Sequence, residues 1–137
     1  MTADERQFVA TDAAPTPTGP FSQAVVAGGL VFTAGQAGRN RDTGEMGGLG
    51  EQTSWALRNL DAILRAGGSS LADAVKLTIY LRDGCDPAEL NEVYRAAVPE
   101  PRPARSLVVV SRLKGPDMLV EIEAVGVRSG WDCNGSS

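Results

Sequence analysis

The chain has 137 residues, of which 42% are hydrophobic and 22% charged, and a formal net charge of −4. This length suffices for one domain with its own hydrophobic core. The acidic balance and the lack of a long basic run disfavour nucleic acid as a partner. No apolar run approaches the ~20 residues of a membrane span, and the polar, acidic N-terminal segment is unlike a secretory signal.

The first half of the sequence predicts short strands and one long helix. The predicted elements are a short edge strand at 6–10, strands at 22–26 and 30–34, and a helix at 51–66. Apolar residues recur along the helix at spacings of three and four, and Gly67 and Gly68 end it. Residues 11–20 contain three prolines and are predicted to be an extended connector. Residues 35–50 contain six glycines and predict a loop that lacks phosphate-binding motifs.

The second half begins with clear helix and strand signals. Residues 70–73 have capping-box spacing and predict one helical turn. Residues 75–82 alternate apolar and polar side chains, which is typical of a strand with one buried face. Asp86 as a cap and Pro87 at the first helical position predict a second helix. Three prolines at 99, 101 and 103 then exclude further helix.

Residues 103–127 hold two long apolar segments around a Lys-Gly-Pro-Asp turn, and this pattern predicts a hairpin in the middle of a sheet. In the return segment, Ile122 is expected to face the core, whereas Glu121 and Glu123 face the other side. The order ββαβαββ predicts an α+β fold with both helices on one face of one mixed sheet. Residues 1–128 are predicted to form a single domain, followed by a disordered tail at 129–137.

The chain has no histidine and only two cysteines, Cys85 and Cys133, which lie far apart. This composition argues against a zinc site, a disulfide framework and a Ser-His or Cys-His nucleophile pair. We therefore expect a reduced, cytoplasmic protein with two free thiols and no metal. A sheet face left uncovered by helices favours association, so a closed cyclic oligomer is expected.

Several short motifs occur in an order and spacing that resemble the RidA/YjgF family of reactive-intermediate (enamine/imine) deaminases. The resemblance covers nearly all of residues 15–127. The motifs are Gly19–Ala24, Ala34–Gln36, Asn59–Leu60 with Ala66–Leu71, Asn91–Tyr94, Pro103–Ser106 and Glu121–Ala124. The resemblance implies a chorismate-mutase-like fold and a homotrimer with clefts between subunits. It also implies cofactor-free hydrolysis of small enamine and imine carboxylates to 2-keto acids and ammonia.

The resemblance also implies roles for individual residues. Arg105 is expected to grip the substrate carboxylate with two parallel hydrogen bonds, and Glu121 to hold or activate water. The residues expected to line the substrate site are Phe21, Ala34, Gln36, Asn91, Ser106 and Leu107. On the residues alone, an ion pair at a surface is the commoner role for Arg105, and an ion pair at an interface is the commoner role for Glu121.

The chain departs from the family pattern at three of these positions. Members with deaminase activity usually have tyrosine at the position of Phe21 and serine at that of Ala34, and often cysteine at that of Leu107. The pocket is therefore expected to be more apolar, and a bulkier or more apolar imino acid is an alternative substrate. Two other functions stay open: a tailoring enzyme that guides an imine through condensation or cyclisation, and a non-catalytic binder of small carboxylates. An endoribonuclease role has little support in an acidic chain without histidine.

Overall fold

The structure is a computed structural model that describes residues 5–129. Its elements in chain order are β1 (Gln7–Val9), β2 (Ala24–Ala27), β3 (Leu30–Thr33), β4 (Gln36–Ala37), α1 (Leu49–Ala66), a 3₁₀ turn (Leu71–Asp73), β5 (Ala74–Arg82), α2 (Pro87–Ala97), β6 (Ala104–Val110) and β7 (Val120–Val127). Apart from Ser129, the predicted tail and its Cys133 lie outside the described residues.

Most of the predicted elements are present, and the local signals explain them. Ser70 accepts a hydrogen bond from the Asp73 backbone and so caps the 3₁₀ turn, while Asp86 caps α2 through the Ala88 N–H. Two predictions in the first half of the chain need correction. Helix α1 begins at Leu49 instead of residue 51, and the predicted loop 35–50 contains the short strand β4.

The sheet order is β1-β2-β3-β7-β5-β6, with β4 also paired to β7. The predicted hairpin between β6 and β7 is therefore wrong, because β5 lies between them. Strand β6 runs parallel to β5, so β5, α2 and β6 form a parallel crossover unit. Strand β7 instead pairs antiparallel with both β3 and β5. A two-residue alternation cannot distinguish these partners, because it identifies strands but not their neighbours.

Both helices cover one face of the sheet, as predicted for an α+β fold. The α1 side chains Leu57, Leu60 and Ile63 are fully buried against this face. Strand β7 alternates between buried and half-buried residues along its length, and Ile122 is fully buried whereas Glu121 lies on the opposite face. We call the helix-free side the open face. No helix within residues 5–129 is long and apolar enough to cross a membrane.

Substitutions at two glycines, Gly38 after β4 and Gly50 in the first turn of α1, test the packing around the loop between them. A Cβ on Gly38 would lie 2.1 Å from the backbone oxygen of Gln52, so Gly38→Ala must displace the α1 backbone. We expect the free energy of unfolding to fall by about 1–3 kcal/mol. Gly50, inside α1, would place its Cβ in ordinary contact with Val93 at 3.7 Å. Gly50→Ala should therefore stabilise the protein by about 0.5–1 kcal/mol.

Urea unfolding of both variants measures these differences. Equal stability of Gly38→Ala and the unchanged protein would contradict the close contact between this loop and α1. A loss of stability in Gly50→Ala would contradict the position of Gly50 within the helix.

Candidate active site

A cleft of about 340 Å³ lies around Glu121, and we call it the Glu121 cleft. It contains four of the predicted site residues, namely Phe21, Ala34, Gln36 and Glu121. The connector before β2, the segment from β3 to β4 and the loop before β7 supply its other walls. These further lining residues are Pro15, Thr16, Pro17, Thr18, Gln23, Gly35, Ala37, Arg39, Lys114 and Met118.

The Glu121 carboxylate packs directly over Gly35. A Cβ on Gly35 would lie 2.5 Å from Glu121 Oε2, so any larger residue there would push the carboxylate away. Burial raises the pKa of Glu121, and the neighbouring Glu123 raises it further, whereas Lys114 lowers it. A carboxyl group with a raised pKa is closer to the proton affinity that acid–base chemistry at neutral pH requires.

A second carboxylate on the same strand is held by a tyrosine that we did not predict. The Tyr80 hydroxyl donates a hydrogen bond of 2.5 Å to Glu123 Oε1. This bond is the main cause of the raised pKa of Tyr80. Tyr80 on β5 is also the register partner of Glu121 on β7. The three side chains therefore form one polar cluster on the open face.

The connector that forms one wall of the cleft is tied to the sheet by Gln23. Its side-chain oxygen accepts from Thr11 N at 2.7 Å, and its Nε2 donates to Thr11 O at 3.1 Å and to Pro15 O at 3.0 Å. Gln23 is buried, with 3% of its surface exposed. Because buried amide groups must be paired, these bonds fix the path of a proline-containing segment that has no regular structure.

The loop before β7 is fixed in the same way by Gln52 of α1. Its Nε2 donates to the backbone oxygens of Asp117 at 2.8 Å and Gly47 at 2.9 Å, and its Oε1 accepts from Leu119 N at 2.8 Å. Gln52 is 1% exposed. One buried side chain thus holds two loops of the cleft against the helix.

Arg105 lies in a separate depression of about 330 Å³, which we call the Arg105 depression. Its Nη1 donates to Asn91 Oδ1 at 2.8 Å, and its guanidinium stacks over the Tyr94 ring at 4.8 Å from the centroid. Within residues 5–129, no carboxylate forms an ion pair with Arg105. The cation is held in place by neutral partners, and its side chain is exposed.

The two remaining predicted site residues lie outside both concavities. Ser106 is on the open face, where it accepts a hydrogen bond from Lys76 Nζ at 2.7 Å. Leu107 is half-buried on the helix-covered side, packed against the core. The structure of one chain thus does not bring Ser106 or Leu107 to the Glu121 cleft.

Arg105 and Glu121 lie on opposite faces of the sheet. Arg105 is the parallel register partner of Leu77, which is fully buried under the helices. Glu121 is paired with Tyr80 on the open face. Since paired residues of neighbouring strands point to the same side, a single chain cannot place both predicted catalytic groups on one ligand.

Sequence reasoning missed several residues of these sites. Lys114 and Arg39 line the Glu121 cleft, Tyr94 supports Arg105, and Tyr80 binds Glu123. A glycine directly after an apolar strand is a known sign of close backbone approach, so Gly35 could have been found. The positions of Lys114 and Arg39 depend on loop paths, for which the sequence carries no periodic signal.

Comparisons with known proteins agree with this architecture. Residues 11–128 match the family described as Endoribonuclease L-PSP. A RutC family protein of Pyrococcus horikoshii is 46% identical over 125 residues, covering 90% of this chain and 98% of that protein. A protein of Dermatophagoides farinae named 2-iminobutanoate/2-iminopropanoate deaminase is 37% identical over 124 residues, covering 89% and 96%.

Solved structures give the same result. The crystal structure of Escherichia coli TdcF with bound serine is 38% identical, has a TM-score of 0.83 and is matched over 90% of this chain and 99% of that one. RidA of the Antarctic bacterium Psychrobacter is 41% identical with a TM-score of 0.83, matched over 88% and 98%. The fold is that of an α+β protein with a cleft on its sheet. The chain belongs to the Endoribonuclease L-PSP family, which includes the RidA/YjgF proteins.

The half-buried carboxyl of Glu121 makes stability depend on pH. Its folded pKa lies above its ordinary value of 4.5, so folding favours the protonated form. Well below pH 4.5 the carboxyl is protonated in both the folded and the unfolded state. As the pH rises, the unfolded state ionises first, and the free energy of unfolding falls. We expect Glu121→Gln to be more stable than the unchanged protein near pH 7, with a difference that shrinks as the pH falls toward 4.5. Urea unfolding at several pH values measures this difference, and a difference independent of pH would contradict the assignment.

Proposed function

We propose that the protein hydrolyses small enamine and imine carboxylates to 2-keto acids and ammonia, in a site completed by Arg105 of one subunit and Glu121 of the next. The observation that carries this proposal is the placement of the two groups on opposite faces of one chain. Each concavity holds half of the necessary chemistry, a carboxylate anchor or a proton-handling group. Relatives named 2-iminobutanoate/2-iminopropanoate deaminase and reactive intermediate deaminase support the reaction class.

The open face supports assembly into a homotrimer. Phe8 is 62% exposed and Phe32 is 44% exposed. Register pairing places Val25 between them and Val125 on the far side of Phe32, so the four form one apolar row across the sheet. An apolar row of this kind is usually covered in solution. A closed ring of three subunits covers every copy equally and creates three equivalent seams.

Arg105 acts as the carboxylate anchor in this proposal. A guanidinium matches a carboxylate with two parallel hydrogen bonds. Asn91 occupies one of its nitrogens, and Tyr94 supports its plane. Because these partners are neutral, a substrate carboxylate would not have to displace a protein carboxylate. Such pre-positioning lowers the cost of binding.

Glu121 handles protons at the other end of the substrate. Water adds to the carbon of the protonated imine while Glu121 accepts a proton from the water, which gives an intermediate with a hydroxyl and an amino group on one carbon. Glu121 then returns that proton to the nitrogen and accepts the hydroxyl proton as the carbonyl forms and ammonia leaves. Ammonia takes this last proton and departs as ammonium. An enamine first takes a proton on its terminal carbon and becomes the imine. The raised pKa of Glu121 suits both directions of transfer.

The apolar side chains in the Glu121 cleft favour a second candidate, a tailoring enzyme that guides an imine through condensation or cyclisation. Phe21 is 49% exposed within the cleft and, like Ala34, lacks a hydroxyl. Such walls hold an apolar intermediate away from water. Product analysis on apolar imines distinguishes the two candidates: keto acid and ammonia in equal amounts support hydrolysis, and a coupled product supports tailoring.

Ribonuclease activity is not part of this proposal, although the description of the family names an endoribonuclease. The chain carries a net charge of −4 and has no histidine for acid–base cleavage of RNA.

Substitution of Arg105 tests the proposed anchor. We expect Arg105→Ala to lower kcat/KM for imino acids generated in situ by about 10- to 100-fold, because charge-assisted hydrogen bonds are lost. Release of ammonia and keto acid is the measurement. Arg58→Ala is the matched control, since Arg58 stacks on Trp55 of α1 and lines neither concavity. Equal rates for Arg105→Ala and the control would reject the anchor.

A further inference from the structure

Two cations line the Glu121 cleft without a carboxylate partner. Lys114 comes from the loop between β6 and β7, and Arg39 from the segment after β4. Across residues 5–129, neither takes part in an ion pair. Arg39 Nη1 donates to the backbone oxygen of Gly44 at 2.7 Å, and both side chains are exposed. The cleft therefore has more positive than negative groups, although the chain as a whole is acidic.

The backbone that carries these cations is anchored. Gln52 binds the β6–β7 loop at Asp117 and Leu119, on the C-terminal side of Lys114. Asn59 of α1 donates to the backbone oxygen of Arg39 at 3.0 Å. Both cations thus extend from backbone that is fixed to the same helix. A ligand group in the cleft would meet two cations whose supporting segments are held by α1.

The cleft also has more volume than the smallest substrates of the proposed reaction need. Its 340 Å³ falls in the range of ordinary ligand pockets, whereas the smallest imino acids consist of little more than the reacting carbon and a carboxylate. The reacting atoms must lie beside Glu121. The cleft walls also include the apolar side chains of Phe21 and Met118 and the cations Lys114 and Arg39. Such a cleft suits a substrate side chain with an acidic end.

We propose that the site selects imino acids whose side chain carries a second carboxylate, and that Lys114, assisted by Arg39, binds this distal group. This proposal rests on the proposed function, in which Arg105 of the adjacent subunit binds the carboxylate next to the imine. A substrate with two carboxylates would then have a cation at each end. A single-acid substrate would offer no carboxylate to Lys114 and Arg39.

The test compares imino acids generated in situ from glutamate and from leucine by amino-acid oxidases. We expect the ratio of kcat/KM values, glutamate-derived over leucine-derived, to be above one for the unchanged protein. In Lys114→Met, which keeps an unbranched side chain one atom shorter but removes the charge, this ratio should fall about tenfold. Lys114→Arg should restore most of it. The ratio matters because any effect of Lys114 on the proton affinity of Glu121 acts on both substrates and cancels.

Arg112→Met is the matched control. It removes a cation from the same loop, but Arg112 is exposed and lines neither concavity. Its selectivity ratio should equal that of the unchanged protein. An unchanged ratio in Lys114→Met, or an equal fall in Arg112→Met, would overturn the assignment of Lys114. A ratio below one in the unchanged protein would overturn the selectivity while leaving imine hydrolysis intact.

Calorimetric binding of unreactive keto acids separates this proposal from the proposed function. We expect 2-oxoglutarate to bind about tenfold more tightly than 2-oxobutanoate, and Lys114→Met to remove the difference. This binding result would support the second subsite even if the protein hydrolyses no imine. The absence of imine hydrolysis would by itself reject only the proposed hydrolase function. Equal affinities for the two keto acids would reject the subsite whatever the turnover.

Discussion

The strand alternation of the sheet is the constraint on which the rest depends. Strand β7 must bury Ile122 under α1, and this turns Glu121 to the open face. Strand β6 is paired in parallel with β5, so Arg105 lies on the side of the buried Leu77. A one-residue shift of β7 would reverse its faces and expose Ile122. The hydrophobic core therefore fixes the face on which Glu121 lies, and the pairing with β5 fixes that of Arg105.

The chain uses buried amides to shape a cleft from segments that have no regular structure. Gln23 holds the connector through Thr11 and Pro15, and Gln52 holds two loops at once. Each glutamine side chain supplies hydrogen-bond partners to backbone groups that form no regular structure. Gly35 then allows the Glu121 carboxylate to approach the backbone. The result is a half-buried acid whose pKa is raised mainly by desolvation.

Local sequence patterns predicted the positions of most helices and strands and the faces of β7. They did not predict which strands pair with each other. The alternation around Ile122 correctly assigned the two faces of β7, and the cap at Asp86 located α2. The predicted β6–β7 hairpin was wrong, although the strand–helix–strand order from β5 to β6 is itself a signal for a parallel pair. The predicted residues Phe21, Ala34 and Gln36 line the same cleft as Glu121. The loop cations were missed because their positions follow from tertiary contacts made by α1.

Recovery of activity in assemblies mixed from two impaired variants tests the proposed shared site most directly. Arg105→Ala and Glu121→Gln each remove one half of the proposed chemistry, and they are coexpressed with different tags so that mixed assemblies can be purified. In a trimer that contains both variants, a third of the sites would combine an intact Arg105 with an intact Glu121 from its neighbour. The account predicts imine hydrolysis at about that fraction of the unchanged protein's rate. Mixed assemblies no more active than the parent variants would contradict a site shared between subunits.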